Sequence, residues 1–256
     1  MDIFRVHQIS RFVEYIFKDN FIINKHQGIM DISNTGISIL IPLYNGIDYL
    51  EESVYSIILQ THKKWEIIIG INGHEENSEV EKKAQHIKEK YGDKNIIVKY
   101  YTTKGKANTL NEMVKDTFYD FIALLDVDDV WLPTKLEKQT PYLYQYDIVG
   151  TRCVYFGEKS ISPPIPVGFL NHQHNFLHYN PIINSSAIIK KQDAKWNDIP
   201  QLVDYDMWLR LSYEKKTFYN IDEILCKHRI HKTSFFNNTN DNHVDQLKSK
   251  WRPFFE

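Results

Sequence analysis

Hydrophobic residues follow two alternating patterns between residues 37 and 125. Short, continuous apolar runs alternate with segments in which apolar residues recur every three or four positions. The short runs are typical of strands buried on both faces, and the spaced segments are typical of helices that pack against a sheet. The pattern therefore predicts strand–helix repeats, with strands at residues 37–41, 65–69, 96–100 and 121–125.

The segments between these runs predict three helices. Ser78 and Glu81 form a capping-box pattern at the start of the second one. Strands joined by helices predict an α/β fold with a mostly parallel central sheet flanked by helices, connected by right-handed crossovers. Ligands of such sheets bind beyond the carboxyl ends of the strands. The loops expected to carry function are therefore 42–45, 70–73, 102–105 and 126–129.

The regular alternation ends near residue 130. The second half predicts helices at 131–144 and 202–213, strands at 147–156, 182–189 and 224–230, and a loop at 160–180 rich in Pro, His and Asn. Before residue 36, helical spacing predicts an N-terminal helical extension, marked by Val6, Ile9, Phe12, Val13 and Ile16. The expected organisation is an extension at 1–35 and one domain made of the halves 36–130 and 131–256, the latter with a C-terminal helix.

Composition narrows the function classes. The 256 residues are 42% hydrophobic, which suffices for one sizeable core, and the net charge of -2 gives no reason to expect nucleic acid or an acidic membrane as the main partner. Cys153 and Cys226 form neither a disulfide framework nor a zinc motif. The sequence shows no signal-peptide pattern and no apolar run of transmembrane length. We expect a soluble, cytoplasmic protein without an integral membrane segment.

Three aspartates follow the fourth predicted strand. Asp126 and Asp128 are two residues apart, so in extended chain both carboxylates point the same way. Clustered carboxylates repel each other, and a divalent cation relieves that repulsion; oxygen ligands suit Mg²⁺ or Mn²⁺. The pattern predicts a metal site that uses phosphate oxygens as further ligands. The alternative is that Asp126 and Asp128 are solvated turn residues and that Asp129 begins the next helix.

Five segments resemble motifs of family 2 glycosyltransferases, in the same order along the chain. They are ISILIPLYNGIDYLEESVYSIILQTHKKWEIIIG, KGKANTLNEMV, LLDVDDVWLPTKLEKQ, VDYDMWLRLS and KHRIHKTS. The resemblance runs from about residue 37 to 234 and implies the GT-A fold. It also implies inverting transfer of one sugar at a time from a nucleotide-diphospho-sugar, UDP-linked in the usual case, with Mn²⁺ or Mg²⁺, to a glycan, lipid-linked or protein acceptor.

The resemblance also implies roles for particular residues. Asp128 and His231 would bind the metal, and Asp204 would be the general base that deprotonates the acceptor hydroxyl. The alternative for Asp204 is a helix N-terminal residue favoured by the helix dipole, a role that Asp206 could fill equally well. His228 is an alternative to His231, because it lies close by in the same segment. The nucleotide-sugar would be bound by Pro42, Tyr44, Asn45, Asn72, Lys106, Asn108, Asp126 and Val127.

Two positions depart from the family pattern. Ile71 and Asn72 stand where the family has two aspartates, and Ile71 has no side-chain acceptor for a base N–H, whereas the Asn72 amide oxygen has. Val203 replaces the Glu that precedes the family's catalytic Asp. The nucleotide base therefore stays open. The cluster His172, His174 and His178 is interpreted as a loop over the acceptor site rather than a metal site.

Two other functions remain as alternatives. A nucleotidyltransferase shares a similar sheet and metal chemistry, but it would have a Gly-rich, basic loop after the first strand, where residues 42–45 stand here. A catalytically inactive relative that binds a sugar nucleotide is the other, and the change at Ile71 favours it. The presence of Asp126, Asp128, Asp204 and His231 together argues for the enzyme.

Overall fold

Strands and helices alternate along the computed structural model, which describes residues 15–18, 21–24, 28–92, 94–199, 202–232 and 241–255. Twelve strands occur in these residues: β1 (Tyr15–Lys18), β2 (Phe21–Asn24), β3 (Gly28–Asp31), β4 (Ile37–Leu43), β5 (Trp65–Asn72), β6 (Ile96–Tyr101), β7 (Phe121–Leu124), β8 (Val130–Trp131), β9 (Ile148–Gly157), β10 (Gly168–Leu170), β11 (Ile188–Lys190) and β12 (Phe218–Ile230). The helices there are α1 (Leu50–Ile58), α2 (Glu79–Tyr91), α3 (Lys106–Lys115), α4 (Lys135–Gln139), α5 (Val203–Tyr213) and α6 (Asp241–Phe255).

Nine of the described strands form one sheet that runs through both halves of the chain. Its order is β10-β12-β9-β11-β7-β4-β5-β6, and β8 pairs with β12 outside this path. Strand β4 is parallel to β5 and β7, β5 is parallel to β6, and β9 is parallel to β12. Strands β8, β10 and β11 pair antiparallel with their neighbours. The predicted fold class, a mostly parallel sheet flanked by helices, is confirmed.

Apolar side chains cover both faces of the sheet. In β4, Ile37, Ile39 and Ile41 belong to one buried cluster together with the apolar residues of α1 and α2. Leu40 points to the opposite face, where α3, α5 and α6 supply the apolar residues. This explains the continuous apolar strands, since each needs hydrophobic residues on both sides. Among the described residues, no helix has the length and apolar character that crossing a membrane requires.

The N-terminal extension differs from the prediction. Strands β1, β2 and β3 form a separate antiparallel sheet, so the expected helix is wrong for residues 15–31 as far as they are described. The segment Phe21–Asn24 is rich in aromatic and β-branched residues, which favour strands. Four of the five positions that suggested a helix, Val6, Ile9, Phe12 and Val13, lie outside the described residues.

Two segments of the second half also differ from their predictions. The helix expected at 131–144 is reduced to α4 and a 3₁₀ turn at Thr140–Tyr142, because Trp131 pairs with Cys226 of β12. The strand expected at 182–189 is replaced by a 3₁₀ turn at Asn184–Ser186, followed by β11. There the Ser186 hydroxyl donates to the Ile183 carbonyl (2.8 Å), a local bond that competes with strand pairing. The helix at 202–213 and the strand at 224–230 appear as α5 and the later part of β12.

Candidate active site

The aspartate run lies at the carboxyl end of β7, next to the ends of β4 and β5. Because these three strands are parallel, their carboxyl ends meet at one edge of the sheet. The N–H of Asp129 donates to the carbonyl of Asp126 (3.0 Å), which closes a tight turn. The N–H of Asp126 donates to the Ser185 hydroxyl (3.0 Å). The turn therefore presents the three aspartates at the edge where a ligand is expected.

Hydrogen bonds from helix α1 and from Gln60, just after it, stabilise this turn and the backbone that follows it. The Ser53 hydroxyl lies within hydrogen-bond distance of the carbonyls of Val127 (2.7 Å) and Asp129 (2.5 Å). The Ser56 hydroxyl accepts the Trp131 N–H (3.1 Å), and the Gln60 amide spans Leu132 and Leu136 just beyond. The Ser-Ile-x-x-Gln-Thr motif at the end of this helix thus fixes the backbone after the aspartates. The sequence did not predict these roles for Ser53, Ser56 and Gln60, because their partners lie more than 70 residues away along the chain.

Asp126 is held by two side chains. Its carboxylate accepts from the Lys106 ammonium (2.6 Å) and from the Asn184 amide (3.0 Å). Burial favours the protonated form, but Lys106 and then Asn184 outweigh it, and the pKa of Asp126 is lowered. The structure thus brings two predicted site residues, Lys106 and Asp126, into direct contact. Asn184 was not predicted, because it lies 58 residues away in sequence and shares no motif with Asp126.

Asp128 contacts His231. The His231 Nε2 atom lies 2.9 Å from a carboxylate oxygen of Asp128. Burial, followed by the neighbouring carboxylates of Asp129 and Asp126, raises the pKa of Asp128, and the hydrogen bond with His231 counteracts this only in part. Asp128 is therefore a carboxylate whose surroundings disfavour its negative charge, as expected of a group that meets a cation.

The Asp129 side chain has hydrogen-bond partners that differ from those of Asp126 and Asp128. Its side chain is fully buried, and its two oxygens face His228 Nδ1 (2.9 Å) and the Arg229 N–H (2.8 Å). Burial opposes protonation of His228, but the Asp129 carboxylate raises the pKa of His228 to about 9. His228 thus pairs with Asp129 and His231 with Asp128, which separates the two candidate histidines. Strand β8 follows Asp129, so the view that this residue begins a helix is wrong.

The donor set around Asp128 suits a divalent cation that also binds phosphate oxygens. The Asp128 carboxylate and the His231 imidazole lie 2.9 Å apart, and burial and the neighbouring carboxylates raise the pKa of Asp128, so a cation beside it would be stabilising. Within the described residues, no three His, Cys, Asp or Glu side chains form a metal cage. The protein atoms thus fit a cation whose remaining ligands come from a bound diphosphate and water.

Asp204 lies in the first turn of α5, close enough to Lys106 and Asp126 for their charges to act on it. Burial raises the pKa of Asp204, and the nearby Asp126 carboxylate adds to this, while Lys106 opposes it. The alternative residue, Asp206, is fully buried and accepts from Asn197, Lys250 and Trp251. Asp206 is therefore closed to a substrate, which leaves Asp204 as the candidate base on this helix.

The residues predicted to bind the nucleotide lie at the ends of β4 and β5. The Tyr44 side chain is 60% exposed and packs over Gly73, where a Cβ atom would lie 2.2 Å from the Tyr44 ring. Gly73 has φ +75°, so both conformation and space require glycine there. The Tyr44 carbonyl also accepts from the His74 ring. An exposed aromatic ring is thus held rigidly beside the strand ends.

Asn72 is buried at the end of β5, next to Gly73, and its orientation is determined by its neighbours. Its amide nitrogen donates to the carbonyls of Tyr101 (3.2 Å) and Thr103. The reverse orientation would turn the amide oxygen toward two carbonyl oxygens, which is repulsive. Both hydrogens are therefore used, and the oxygen is the one group that Asn72 offers to a ligand. Ile71, which like Asn72 stands where the family has an aspartate, is fully buried in the core.

In the part of the chain that the structure describes, no hydrogen bond is seen between the other predicted binding residues and the Asp126 or Asp128 carboxylates. Pro42 pairs with Gly70 within the sheet, and Asn45 is exposed in the loop after β4. Val127 is buried and would contact a Cβ atom at Gly46 (2.9 Å). Asn108 donates to Asp198 (3.0 Å) and to the Lys104 carbonyl (3.1 Å), not to Asp126.

Arg229 is a site neighbour that sequence reasoning missed. Its guanidinium donates to the Asp128 carbonyl (2.8 Å) and to Glu52, and it stacks on the rings of Tyr49 (4.6 Å) and Phe156 (4.2 Å). The Tyr49 ring also lies 5.4 Å from that of His231. These contacts fix the end of β12, and so the direction of His231. Its position beside His231 in the KHRIHKTS motif was the available signal.

The histidine-rich loop forms no metal site among the described residues. His174 contacts the Asn171 backbone and side chain (3.2 Å each), whereas His172 and His178 are exposed. The loop is anchored by the buried Phe176, whose carbonyl accepts from Tyr205 (2.5 Å), the residue after Asp204. Its placement over an acceptor site stays a prediction.

Several known proteins are similar to this chain in sequence or in fold. The O-antigen biosynthesis glycosyltransferase WbnJ of Escherichia coli is 31% identical over 218 residues, covering 77% of this chain and 81% of that protein. The fold is similar to that of Staphylococcus aureus TarS 1–349 in complex with UDP-GlcNAc, with a TM-score of 0.66 at 12% identity over 86% of this chain and 72% of that chain.

A second fold relative is the mannosyltransferase PcManGT of Pyrobaculum calidifontis, in complex with GDP-Man and Mn²⁺. The TM-score is 0.61 at 14% identity, over 78% of this chain and 59% of that chain. Both relatives have the GT-A fold, which the central sheet of this chain shares. The sequence profile of Glycosyl transferase family 2 matches residues 38–199. This chain therefore belongs to glycosyl transferase family 2 and is a glycosyltransferase with the GT-A fold.

Proposed function

We propose that the protein transfers one sugar from a nucleotide-diphospho-sugar to an acceptor hydroxyl, with inversion at the anomeric carbon. The observation that carries this proposal is the arrangement of two separate carboxylate groups around Lys106. Asp126 contacts Lys106 directly and is followed by Asp128, and Asp204 lies on α5 within electrostatic reach of both Lys106 and Asp126. An inverting transfer needs such a division, because the leaving diphosphate and the base lie on opposite faces of the sugar.

The donor diphosphate binds at Asp128 and His231 together with a divalent cation, Mn²⁺ or Mg²⁺. When bound, the cation neutralises charge on the departing diphosphate. Asp126 is held by Lys106 and Asn184, so it would accept a hydrogen bond from the ribose or assist in holding the cation. The fold relatives support this use of the cleft, since one was solved with UDP-GlcNAc and another with GDP-Man and Mn²⁺.

The nucleotide base is read by Asn72 and stacks on Tyr44. Asn72 offers a base only its amide oxygen, because both amide hydrogens are donated to carbonyls. It therefore selects a base that presents a ring N–H, as uracil and guanine do. Cytosine and adenine present an unprotonated ring nitrogen at the equivalent position and would face the oxygen with another acceptor. UDP- and GDP-linked sugars are the donor classes that fit, and UDP is the leading choice.

Transfer proceeds by direct displacement. The acceptor oxygen forms a bond to the anomeric carbon as the bond from that carbon to the diphosphate oxygen breaks. Asp204 takes the hydroxyl proton, and the nucleoside diphosphate leaves with the bonding electron pair. The pKa of Asp204 is raised by burial, which makes the carboxylate a stronger base than an exposed aspartate.

Donor hydrolysis, in which water replaces the acceptor, tests this proposal without knowledge of the acceptor. NMR of the first turnovers of an α-linked UDP-sugar should show the β-anomer, before mutarotation mixes the two forms. Asp204→Asn should lower nucleoside diphosphate release at least a hundredfold, because general-base catalysis contributes about 10²–10⁴-fold. Asp222→Asn, at an exposed aspartate of β12 that pairs with Arg152, is the control. Release of the α-anomer, or normal turnover by Asp204→Asn, would contradict the proposal.

A further inference from the structure

Asp206 is a buried carboxylate outside the substrate cleft, two residues after Asp204 on α5. Its side chain is fully buried and accepts from three groups: the Asn197 amide (2.7 Å), the Lys250 ammonium (2.7 Å) and the Trp251 indole N–H (2.8 Å). A buried carboxylate is stable only when such partners replace water. Two partners belong to α6 and the third to the loop before α5, so Asp206 joins three parts of the chain.

Helix α6 contributes no residue to the candidate site, yet it is packed against α5. Leu247 and Trp251 are buried in the same apolar cluster as Val203 and Tyr205, the residues on either side of Asp204. Both α5 and α6 lie beyond residue 199, where the match to the family profile ends. The first turn of α5 therefore rests on the last described helix of the chain.

The loop that contacts Asp206 also contacts the helix that carries Lys106. Asn197 donates to Asp206, and the next residue, Asp198, accepts from Asn108 of α3 (3.0 Å). The backbone of Trp196 makes two bonds with the Asn111 amide, at 2.9 and 2.8 Å. The loop thus links the first turn of α5 to the first turns of α3, the helix that begins with Lys106.

We propose that Asp206 is a positioning residue for Asp204. It fastens α6 and the loop 196–198 to the first turn of α5, and thereby holds Asp204 at a fixed distance from Lys106. Helix α6 is then a required part of the transferase, acting through this one carboxylate. The proposal rests on the proposed role of Asp204 as the base.

Trp251→Phe tests the proposal, with Trp208→Phe as a matched control. Both changes replace a buried indole by a smaller ring. Trp251 loses its bond to Asp206, whereas the Trp208 indole N–H has no hydrogen-bond partner among the described residues. We expect Trp251→Phe to lower kcat for UDP-sugar hydrolysis about tenfold with the dissociation constant of the donor within twofold. Trp208→Phe should change kcat less than threefold.

The pH profile separates positioning from a general loss of stability. The charged groups that face Asp204 are Lys106 and Asp126, and burial is the largest influence on its pKa. A loosened first turn admits water, so in Trp251→Phe the acid limb of kcat should move to lower pH. A purely structural role reduces the folded fraction and leaves the midpoint unchanged. An unchanged midpoint with kcat equal to that of Trp208→Phe would overturn the proposal.

Lys250→Met provides a second variant if Trp251→Phe does not fold, because the Lys250 side chain is 47% exposed. It should shift the acid limb in the same direction, and no shift would again overturn the proposal. Asp204→Asn, measured in parallel, distinguishes a failure of the proposed base from a failure of the proposed positioning role of Asp206. If Asp204→Asn keeps normal turnover, the proposed base is wrong. If Asp204→Asn is inactive while both α6 variants behave like wild type, the positioning role of Asp206 is wrong and the proposed function stands.

Discussion

At the scale of single residues, identical side chains of the aspartate run differ in function because their neighbours differ. Lys106 neutralises Asp126, His228 pairs with Asp129, and Asp128 keeps an unfavourable negative charge beside His231. The sequence pattern predicted the carboxylate cluster, but its premise of an extended chain is wrong, because residues 126–129 form a tight turn. It could not predict which partner each aspartate has, because Lys106 lies in α3 and the two histidines lie in β12 or directly after it, far away along the chain.

Lys135 illustrates a residue whose surroundings the sequence did not reveal. Its side chain is fully buried, donates to Gln139 (2.7 Å) and lies over the Trp131 ring (4.0 Å). Burial lowers the pKa of Lys135 to about 7. From the sequence alone, a lysine after Trp-Leu-Pro-Thr is expected to be an exposed residue at the start of a helix. Only the pairing of Trp131 with β12 turns it inward, and that pairing is a long-range contact.

The pH dependence of turnover is a prediction at the residue scale. Asp204 acts as a base only when deprotonated, and burial raises its pKa above the ordinary value of about 3.9. Activity should therefore be lost as the pH falls through this raised pKa, with the acid limb of kcat/KM above pH 4. Donor affinity measured across the same pH range is the control. A limb at or below pH 4, with constant donor affinity, would contradict the assignment of Asp204.

At the scale of elements, the first half of the molecule was predictable and parts of the second half were not. Strands β4, β5 and β7 are buried on both faces, so their apolar runs are continuous and leave no ambiguity. The segment 182–190 is apolar as well, but Asn184, Ser185 and Ser186 bind the site and the local backbone instead of extending a strand. Local polar groups there outweigh the hydrophobic pattern.

Helix α1 gives a stability prediction at this scale. Ser53→Ala removes the hydroxyl that serves the buried carbonyls of Val127 and Asp129. Leaving such groups unsatisfied should lower the free energy of unfolding by about 1–3 kcal/mol, measured by urea denaturation. The matched control is Ser212→Ala, because the Ser212 hydroxyl is buried without a hydrogen-bond partner among the described residues. That change should be close to neutral, and equal losses in both variants would show that α1 does not support the turn.

At the scale of the whole molecule, one sheet contains strands of both halves of the chain and so brings site residues of both halves together. Asp126 and Lys106 come from the first half, and Asp204 and His231 come from the second. Sequence periodicity predicted the parallel part of this sheet. The order β9-β11-β7, which joins the halves, was not predictable because β11 has only three residues and pairs antiparallel. The family motifs, rather than periodicity, placed Asp204 and His231 in one site.

The central claim is that Asp128 and His231 hold the donor diphosphate with a divalent cation, and that Asp204 acts separately as the base. Calorimetric titration of UDP-, GDP-, CDP- and ADP-sugars, with and without Mn²⁺, tests it most directly. We expect Mn²⁺-dependent binding of the UDP- or GDP-linked donor, at least a tenfold loss in Asp128→Asn, and a dissociation constant within threefold of wild type in Asp204→Asn. Cation-independent binding, or binding that Asp204→Asn abolishes and Asp128→Asn preserves, would contradict the claim.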